Sequence, residues 1–326
     1  MRAVREMAFL SFLVRRLLLG IVVIWVVTVG TFLLFFVAPQ DPAAKLAGKS
    51  PSPGEIAAIN RRLGLDQPLL TQYWHYLDRL LHFNLGTSFL TGSSVNTILK
   101  QDLPPTLSLM VGGAVIWFIV GVAAGILSAT RARSLVDRVC TTGVLIGITF
   151  PTFVVGLLLI AFVYAKLNEA GLHWVQVNYE GPSQSIVGWA GHMILPWITV
   201  AAVSAATYTR LIRGSLLDTL GEDYIRTARA KGLSERRILY RHAIRSALTP
   251  VVSQLGIDIG TLAGGAVVVE SVFGLGGIGQ ASLNAIQSGD TPIVLGVVLC
   301  ASLFIVLANI IVDILYSLLD PRVKLS

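Results

Sequence analysis

The chain has 326 residues, 54% of them hydrophobic and only 13% charged, about half the charge of a soluble domain. The charged residues are absent from several apolar runs of the ~20 residues needed to cross a ~30 Å hydrocarbon core, which excludes a soluble globular fold. The net charge of +7 leaves nucleic acid open until the positions of those charges are considered.

In chain order, Arg2, Arg5, Arg15 and Arg16 precede the apolar run Leu17–Ala38. That run is longer than the 7–15 residues of a signal-peptide core, so residues 1–16 read as a cytoplasmic N-terminus and 17–38 as a retained first span. In the loop 39–103, Ser52-Pro-Gly-Glu55 is a capping box with proline at the first helical position, and Gly64 is placed to end that helix. From Pro68 to about Phe83, Leu69, Leu70, Tyr73, Trp74, Leu77, Leu80 and Leu81 recur at helical spacing. Such a stripe predicts a face packed on the bundle or lying at the membrane interface; a docking surface for an outside partner is the sharper alternative. Pro104–Ala129 and Val139–Ala165 are the second and third spans, with Pro151 expected to kink the third. His192–Thr209, short and holding Pro196, and Thr249–Val269, apolar but carrying Asp258, are the fourth and fifth. Pro292–Leu319 is the sixth.

Six spans put both termini on one side, and the positive-inside rule decides which. Arg131, Arg133 and Arg138, the basic residues from Arg210 to Arg245, and Arg322 and Lys324 join the N-terminal arginines on the cytoplasmic side. The loop 39–103 is long enough to cross largely regardless of its charge. The basic surplus therefore reflects topology, and no nucleic-acid partner is expected. Cys140 and Cys300 both fall in apolar spans, so no disulfide framework is implied.

Two phosphate-binding patterns fail on context. Gly48-Lys49-Ser50 lacks the earlier P-loop glycine, Ala43 standing in its place, and is followed by Pro51 and Pro53 where a helix should begin. Gly274-Leu-Gly276-Gly-Ile-Gly279 matches G-x-G-x-x-G but follows a membrane span instead of opening a βαβ unit, and reads as a tight outer turn. The five histidines, at 75, 82, 173, 192 and 242, form no H-E-x-x-H or other metal spacing, and there is no G-x-S-x-G elbow. No enzyme activity and no metal are expected of this chain.

The informative segment is the cytoplasmic loop 210–248. Thr219-Leu-Gly-Glu222 reads as a capping box, Glu222 and Asp223 suit the positive end of a helix dipole, Arg229 and Lys231 suit the negative end, and Gly232 is a natural C′ residue. These signals predict a short helix over about Glu222–Lys231, then a second helix capped by Ser234 that ends before Pro250. A capped helix with Tyr224, Ile225 and Ala228 among charges suits insertion into a groove on another protein; a solvated loop helix is the alternative.

Asp223-Tyr-Ile-Arg-Thr-Ala-Arg-Ala-Lys-Gly-Leu-Ser234, followed by Arg241-His-Ala-Ile-Arg-Ser-Ala-Leu-Thr-Pro250, resembles the coupling loop of bacterial ABC importer permeases of the dipeptide, oligopeptide and nickel branch. Pro39-Gln-Asp-Pro-Ala43, Leu63-Gly-Leu-Asp-Gln-Pro68, Leu85-Gly-Thr-Ser-Phe89, and Asn309-Ile-Ile-Val-Asp313 through Asp320-Pro-Arg322 are similar to its B-type subunit. The wider superfamily has Glu-Ala-Ala six residues before its glycine, whereas this chain has Arg226-Thr-Ala228.

The resemblance implies an all-α polytopic membrane protein with the type I ABC importer permease fold, its core in residues 104–326. It implies a bacterial plasma-membrane subunit forming half of a pathway for di- or oligopeptides, with nickel, glutathione or oligosaccharide as same-family alternatives. The implied partners are a paralogous second permease, two ATPase subunits that bind ATP-Mg, and an extracytoplasmic substrate-binding protein; this chain itself would bind no cofactor. The coupling contacts would be Glu222, Asp223, Tyr224, Ile225, Arg226, Thr227, Ala228, Lys231 and Gly232.

Within the membrane, Asp258 lies about nine residues into the fifth span, roughly 13 Å at ~1.5 Å per residue and near the midplane, where an ionisable group is costly unless paired or wet. It reads either as a pathway residue for the cationic end of a substrate or as a partner for a polar group on a neighbouring span. Gly256, Gly260 and Gly264 flank it at the four-residue spacing that permits close helix packing, against the partner permease or within this chain. Gly121 with Gly125, and Gly143 with Gly147, repeat the spacing. A self-sufficient secondary transporter, the rival of another class, would need coupling-ion sites and usually repeated halves, and neither is evident. An intramembrane aspartyl protease built on Asp258 and Asp313 fails because the two lie at different depths.

Overall fold

The computed structural model describes the backbone of residues 2–34, 52–63 and 66–319. Side chains are described throughout these ranges except at 2–10, 13, 59, 62–63, 263–265 and 315–319. The motifs at 39–43 and 48–50, the helix-ending role of Gly64, the surroundings of Gly264 and the signature at 320–322 lie outside the described residues.

Among the described residues the chain is helical, with one isolated bridge between Thr87 and Ser94 and no strand. The helices are α1 (Arg2–Phe32), α2 (Pro53–Leu63), α3 (Leu69–Leu81), α4 (Val95–Thr130), α5 (Leu135–Thr149), α6 (Thr152–Glu169, with a π-helical stretch over Leu159–Tyr164), α7 (Ile186–Gly221), α8 (Asp223–Ala230), α9 (235–247, π-helical over Leu239–Ala243), α10 (Thr249–Gly265), α11 (Val267–Phe273), α12 (Ile278–Ser288) and α13 (Thr291–Leu319). Five are long and apolar enough to cross a membrane, and the count reaches six if the pair α10–α11, bent by 59°, is one broken span.

The centre of the bundle is the parallel pair α4 and α7. Four α4 glycines let the two backbones approach: Gly112 lies against the Trp197 ring, Gly113 against Val200, Gly121 against Tyr208 and Ala205, and Gly125 against Ile212 and Thr209. Leu109, Trp117, Met193, Tyr208 and Ile212 fill the seam and are almost fully buried. The indole N–H of Trp197 donates to the Ser108 carbonyl at 2.8 Å, so this bulky ring enters the core with its polar atom satisfied. Outward-facing Ile119, Ile146, Phe162 and Leu307 stay exposed, as hydrocarbon-facing residues should.

α5 runs antiparallel to α7, with Gly147 against the Ala202 carbonyl while Gly143 meets nothing within 4 Å; only one glycine of that pair is used for packing. The predicted third span is not one kinked helix. Phe150 (ψ 129°) and Pro151 (ψ 142°) are both extended, so the chain leaves the helix and restarts at Thr152, because proline disfavours the helical conformation in the residue before it. α4 and α7, in contrast, run well beyond the predicted Pro104–Ala129 and His192–Thr209. Their internal prolines, Pro104, Pro105 and Pro196, are accommodated within 36-residue helices.

Gly256 and Gly260 of α10 pack on Val312 and Ile305 of α13, so within this chain these two serve α13 as their close neighbour. Gly20 of α1 packs on Val306, and Arg16 pairs with Asp313 at 2.9 Å, which makes α1 antiparallel to α13. The start of α1 and the end of α13 therefore share one end of the bundle, with the basic segments 131–138 and 210–248. We call this the basic end and its opposite the far end.

The capping box of α2 forms as read: the Ser52 N–H donates to Glu55 at 2.9 Å, and the Glu55 N–H to the Ser52 hydroxyl at 3.3 Å. α3 starts after Pro68 and leans on α1 through Tyr73 and Tyr76. Asp290 is buried between α12 and α13 and accepts from the Ser88 hydroxyl and from the Phe89 N–H at 3.0 Å, clamping the segment before α4 onto this turn.

Candidate functional site

At the basic end, α7 runs to Gly221, and one extended residue, Glu222 (φ −67°, ψ 149°), turns the chain into α8. The predicted capping box does not form. Thr219 is still in the last turn of α7, its hydroxyl donating to the Ser215 carbonyl at 2.7 Å, and Glu222 makes no side-chain cap. The competing principle is simple: a hydroxyl inside a helix bonds back to the carbonyl four residues earlier. The C-terminal end is as the residues suggest. Gly232 is left-handed (φ 76°), its N–H donates to the Arg229 carbonyl at 2.9 Å, and the Leu233 N–H reaches the Ala228 carbonyl at 3.3 Å. A Cβ at Gly232 would meet nothing within 4 Å, so the demand for glycine is conformational.

The nine predicted coupling residues divide into two sets. Ile225 and Ala228 are buried and pack with Ala129, Leu216, Ile238, Ala243 and Ala247. They face the protein and therefore bolt α8 to its own bundle, which sets them apart from a contact surface. Glu222, Asp223, Tyr224, Arg226, Thr227, Lys231 and Gly232 are exposed along the other side. The turn into α9 is braced by Arg229, whose guanidinium meets Glu235 in two bonds of 2.7 and 3.2 Å. That pairing holds the Glu235 carboxyl below the usual carboxylate range.

One brace here was not anticipated from the sequence. Asp137, in the first turn of α5, is buried and accepts from Arg213 Nε at 2.8 Å and Nη2 at 2.9 Å, from the Arg133 N–H at 2.8 Å, and from the Ser128 hydroxyl. This fork ties α7, nearly three turns before α8, to the α4–α5 connection.

Asp258 is half-buried on α10. It accepts from Gln254 of its own helix at 2.8 Å and stands beside the buried Tyr208 hydroxyl of α7. The pattern available in the sequence, a lone acid in an apolar run, did not distinguish it from Glu270, which the predicted span boundary left out. Glu270 is fully buried at the far end. Its carboxylate accepts from the Thr106 hydroxyl at 2.6 Å and from the Gln280 N–H at 2.9 Å, at the start of α12. The glycine-rich turn serves this contact: Gly274 and Gly276 are left-handed, and a Cβ at Gly277 would fall on the Glu270 carboxyl. Among the described residues, no three His, Cys, Asp or Glu side chains come together as a metal-ligand set.

The family model described as the inner membrane component of binding-protein-dependent transport systems matches residues 121–325, and the model of its N-terminal part matches residues 9–110. A probable peptide ABC transporter permease protein, y4tP of Sinorhizobium fredii, is 38% identical over 314 residues, covering 96% of this chain and 99% of that protein. The glutathione transport system permease protein GsiC of Escherichia coli K12 is 36% identical over 315 residues, covering 97% and 99%. A solved structure of the MetNI methionine ABC transporter in an inward-facing form aligns with a TM-score of 0.49 and 19% identity, over 68% of this chain and 96% of that one.

Proposed function

This chain belongs to the inner membrane components of binding-protein-dependent transport systems, and on that premise we propose that it is one permease half of an ATP-driven importer of peptides. Its relatives named for peptide and glutathione transport both point to substrates with peptide-like backbones. The basic end is the cytoplasmic one by the positive-inside rule, in a bacterial plasma membrane. The partners are a second, paralogous permease, two ATPase subunits holding ATP-Mg, and an extracytoplasmic binding protein that delivers substrate at the far end. No ATP chemistry is assigned to this chain.

The observation that carries the reading is α8: a helix of eight residues, bolted down on one side and presenting an uncovered polar face on the other. Tyr224, Arg226, Thr227 and Lys231 dock in a groove of an ATPase subunit, with Glu222 and Asp223 at the entrance and Gly232 shaping the exit. Ile225 and Ala228 transmit the displacement because they are packed into the same cluster as Leu216 of α7. α7 is a continuous 36-residue rod, roughly 54 Å at ~1.5 Å per residue, so movement at α8 reaches the far end without an intervening hinge. Asp258 has a positioning role on α10, accepting from the Gln254 amide of its own helix and standing beside the Tyr208 hydroxyl of α7. The Gly256–Gly260 face sets the α10–α13 spacing.

The test is to tag the chain in its native membrane, extract it gently and identify what co-purifies, then to reconstitute the complex for uptake. Two ATPases, a second permease and ATP-dependent peptide uptake are the expected result. A chain that purifies alone and moves solute on an ion gradient would replace this reading with that of a secondary transporter.

A further inference from the structure

α3 presents three faces, two of which are accounted for. Tyr73 and Tyr76 pack on α1: their rings lie 5.3 and 6.0 Å from Phe32, and the Tyr73 hydroxyl is 3.0 Å from that of Thr28. Thr71, His75, Asp78 and His82 form a polar stripe exposed to water. The third face is Leu70, Trp74 and Leu81, placed whole turns apart and 81%, 68% and 71% exposed. An apolar face lying open beside a polar one on a short helix requires an occupant.

Its height in the bundle selects that occupant. Thr28 and Phe32 lie in the far-end part of the first span, whose apolar run continues to Ala38, so α3 is fastened to the outer part of a membrane-crossing helix. Val22, Trp25 and Val26, on the adjoining stretch of α1, are exposed in the same way. Tryptophan with leucines on one side and histidine, aspartate and threonine on the other is the composition of a helix lying in a bilayer interface.

We propose that α3 is an interfacial helix whose Leu70–Trp74–Leu81 face is seated in lipid at the far end, the outer leaflet in the orientation given above. It thereby fixes the height of the chain leading into α4 and of the Asp290 clamp. The inference rests on α1 being a membrane span and not on what is transported.

The test uses the full chain in nanodiscs of phosphatidylethanolamine and phosphatidylglycerol, with Cys140 and Cys300 replaced by serine. A spin label is placed at Trp74→Cys or at the neighbouring His75→Cys, and its collisions with oxygen and with a water-soluble nickel chelate are compared. The expected result is a several-fold preference for oxygen at position 74 and the reverse at position 75. Leu70→Cys, on the same stripe, repeats the first result should the Trp74 variant fold poorly. Equal, water-like accessibility at 74 and 75 overturns the proposal. So does a label at 74 shielded from both probes, which would mean that the face is covered by protein, whether residues 35–51 of this chain or a partner.

Discussion

The α4–α7 seam allows a prediction in which one motif gives opposite signs at two positions. Gly121 and Gly143 are both helix-interior glycines that begin a four-residue glycine spacing, and sequence alone would treat them alike. A Cβ at Gly121 would lie 2.5 Å from Tyr208 Cβ and 2.9 Å from the Ala205 carbonyl oxygen, against the ~3.5–4.0 Å at which carbons are comfortable. The neighbours are backbone and the root of a buried side chain, so relief requires the helices to part by about 1 Å. Overpacking of this kind costs about 1–3 kcal/mol, while replacing a helical glycine with alanine returns about 0.8–1 kcal/mol. Gly121→Ala should therefore be destabilising by up to ~2 kcal/mol. Gly125→Ala behaves similarly, with contacts of 2.7 Å to Ile212 and 2.9 Å to the Thr209 carbonyl. The double variant should cost less than the sum, because parting the helices for one methyl makes room for the next. Gly143→Ala meets nothing within 4 Å and should be neutral or stabilising by up to ~1 kcal/mol. Thermal unfolding in nanodiscs reads the difference at about 2–4 °C per kcal/mol, by the scaling of soluble domains. Equal losses at 121 and 143 would refute the close-approach account of the seam.

Three further outcomes follow from the two ends of the bundle. Arg213→Met should lower the unfolding midpoint more than Asp137→Asn, because the buried carboxylate loses its charged partner while the more exposed guanidinium can reach water; the double variant should recover part of the loss in the same melting assay, and simple additivity would argue against the fork as a brace. Gly232→Val should cost about 1–2 kcal/mol for its left-handed backbone and raise the ATP hydrolysed per substrate taken up, with Gly232→Asn restoring much of the coupling; unchanged uptake stoichiometry in the valine variant would sink the coupling role of the turn. Glu270→Gln should cost about 1–3 kcal/mol through mismatched buried donors, read as earlier protease cleavage after α11, whereas cleavage at the wild-type rate would mean that Thr106 and the start of α12 do not depend on the carboxylate.

Several features were legible because their information is local. The apolar runs, the Ser52–Glu55 box, the left-handed Gly232 and the helix after Pro68 each depend on residues within a turn or two of one another. The Arg and Lys distribution likewise placed the basic segments, and the helix packing gathers them at one end with the start of α1 and the end of α13. Family membership was equally accessible, since the coupling-loop residues are contiguous.

Other features depended on contacts that no local pattern encodes. Glu270 finds Thr106 across 164 residues, and Asp137 finds Arg213 across 76; an isolated acid in or beside an apolar run looks the same whether its partner is a helix start, a guanidinium or water. Ile225 and Tyr224 are adjacent and both apolar enough to dock, yet only the packing of α8 on Leu216 and Ile238 buries the first and leaves the second outside. The Thr219 hydroxyl had two possible acceptor or donor roles, and the unbroken run of α7 selected the one inside the helix. Sequence alone determined where the apolar runs and the basic segments lie, because hydrophobicity and charge act over short separations. Only the tertiary structure decided which glycines carry helix contacts and which buried acids hold the bundle together, because both depend on what the fold brings to the other side.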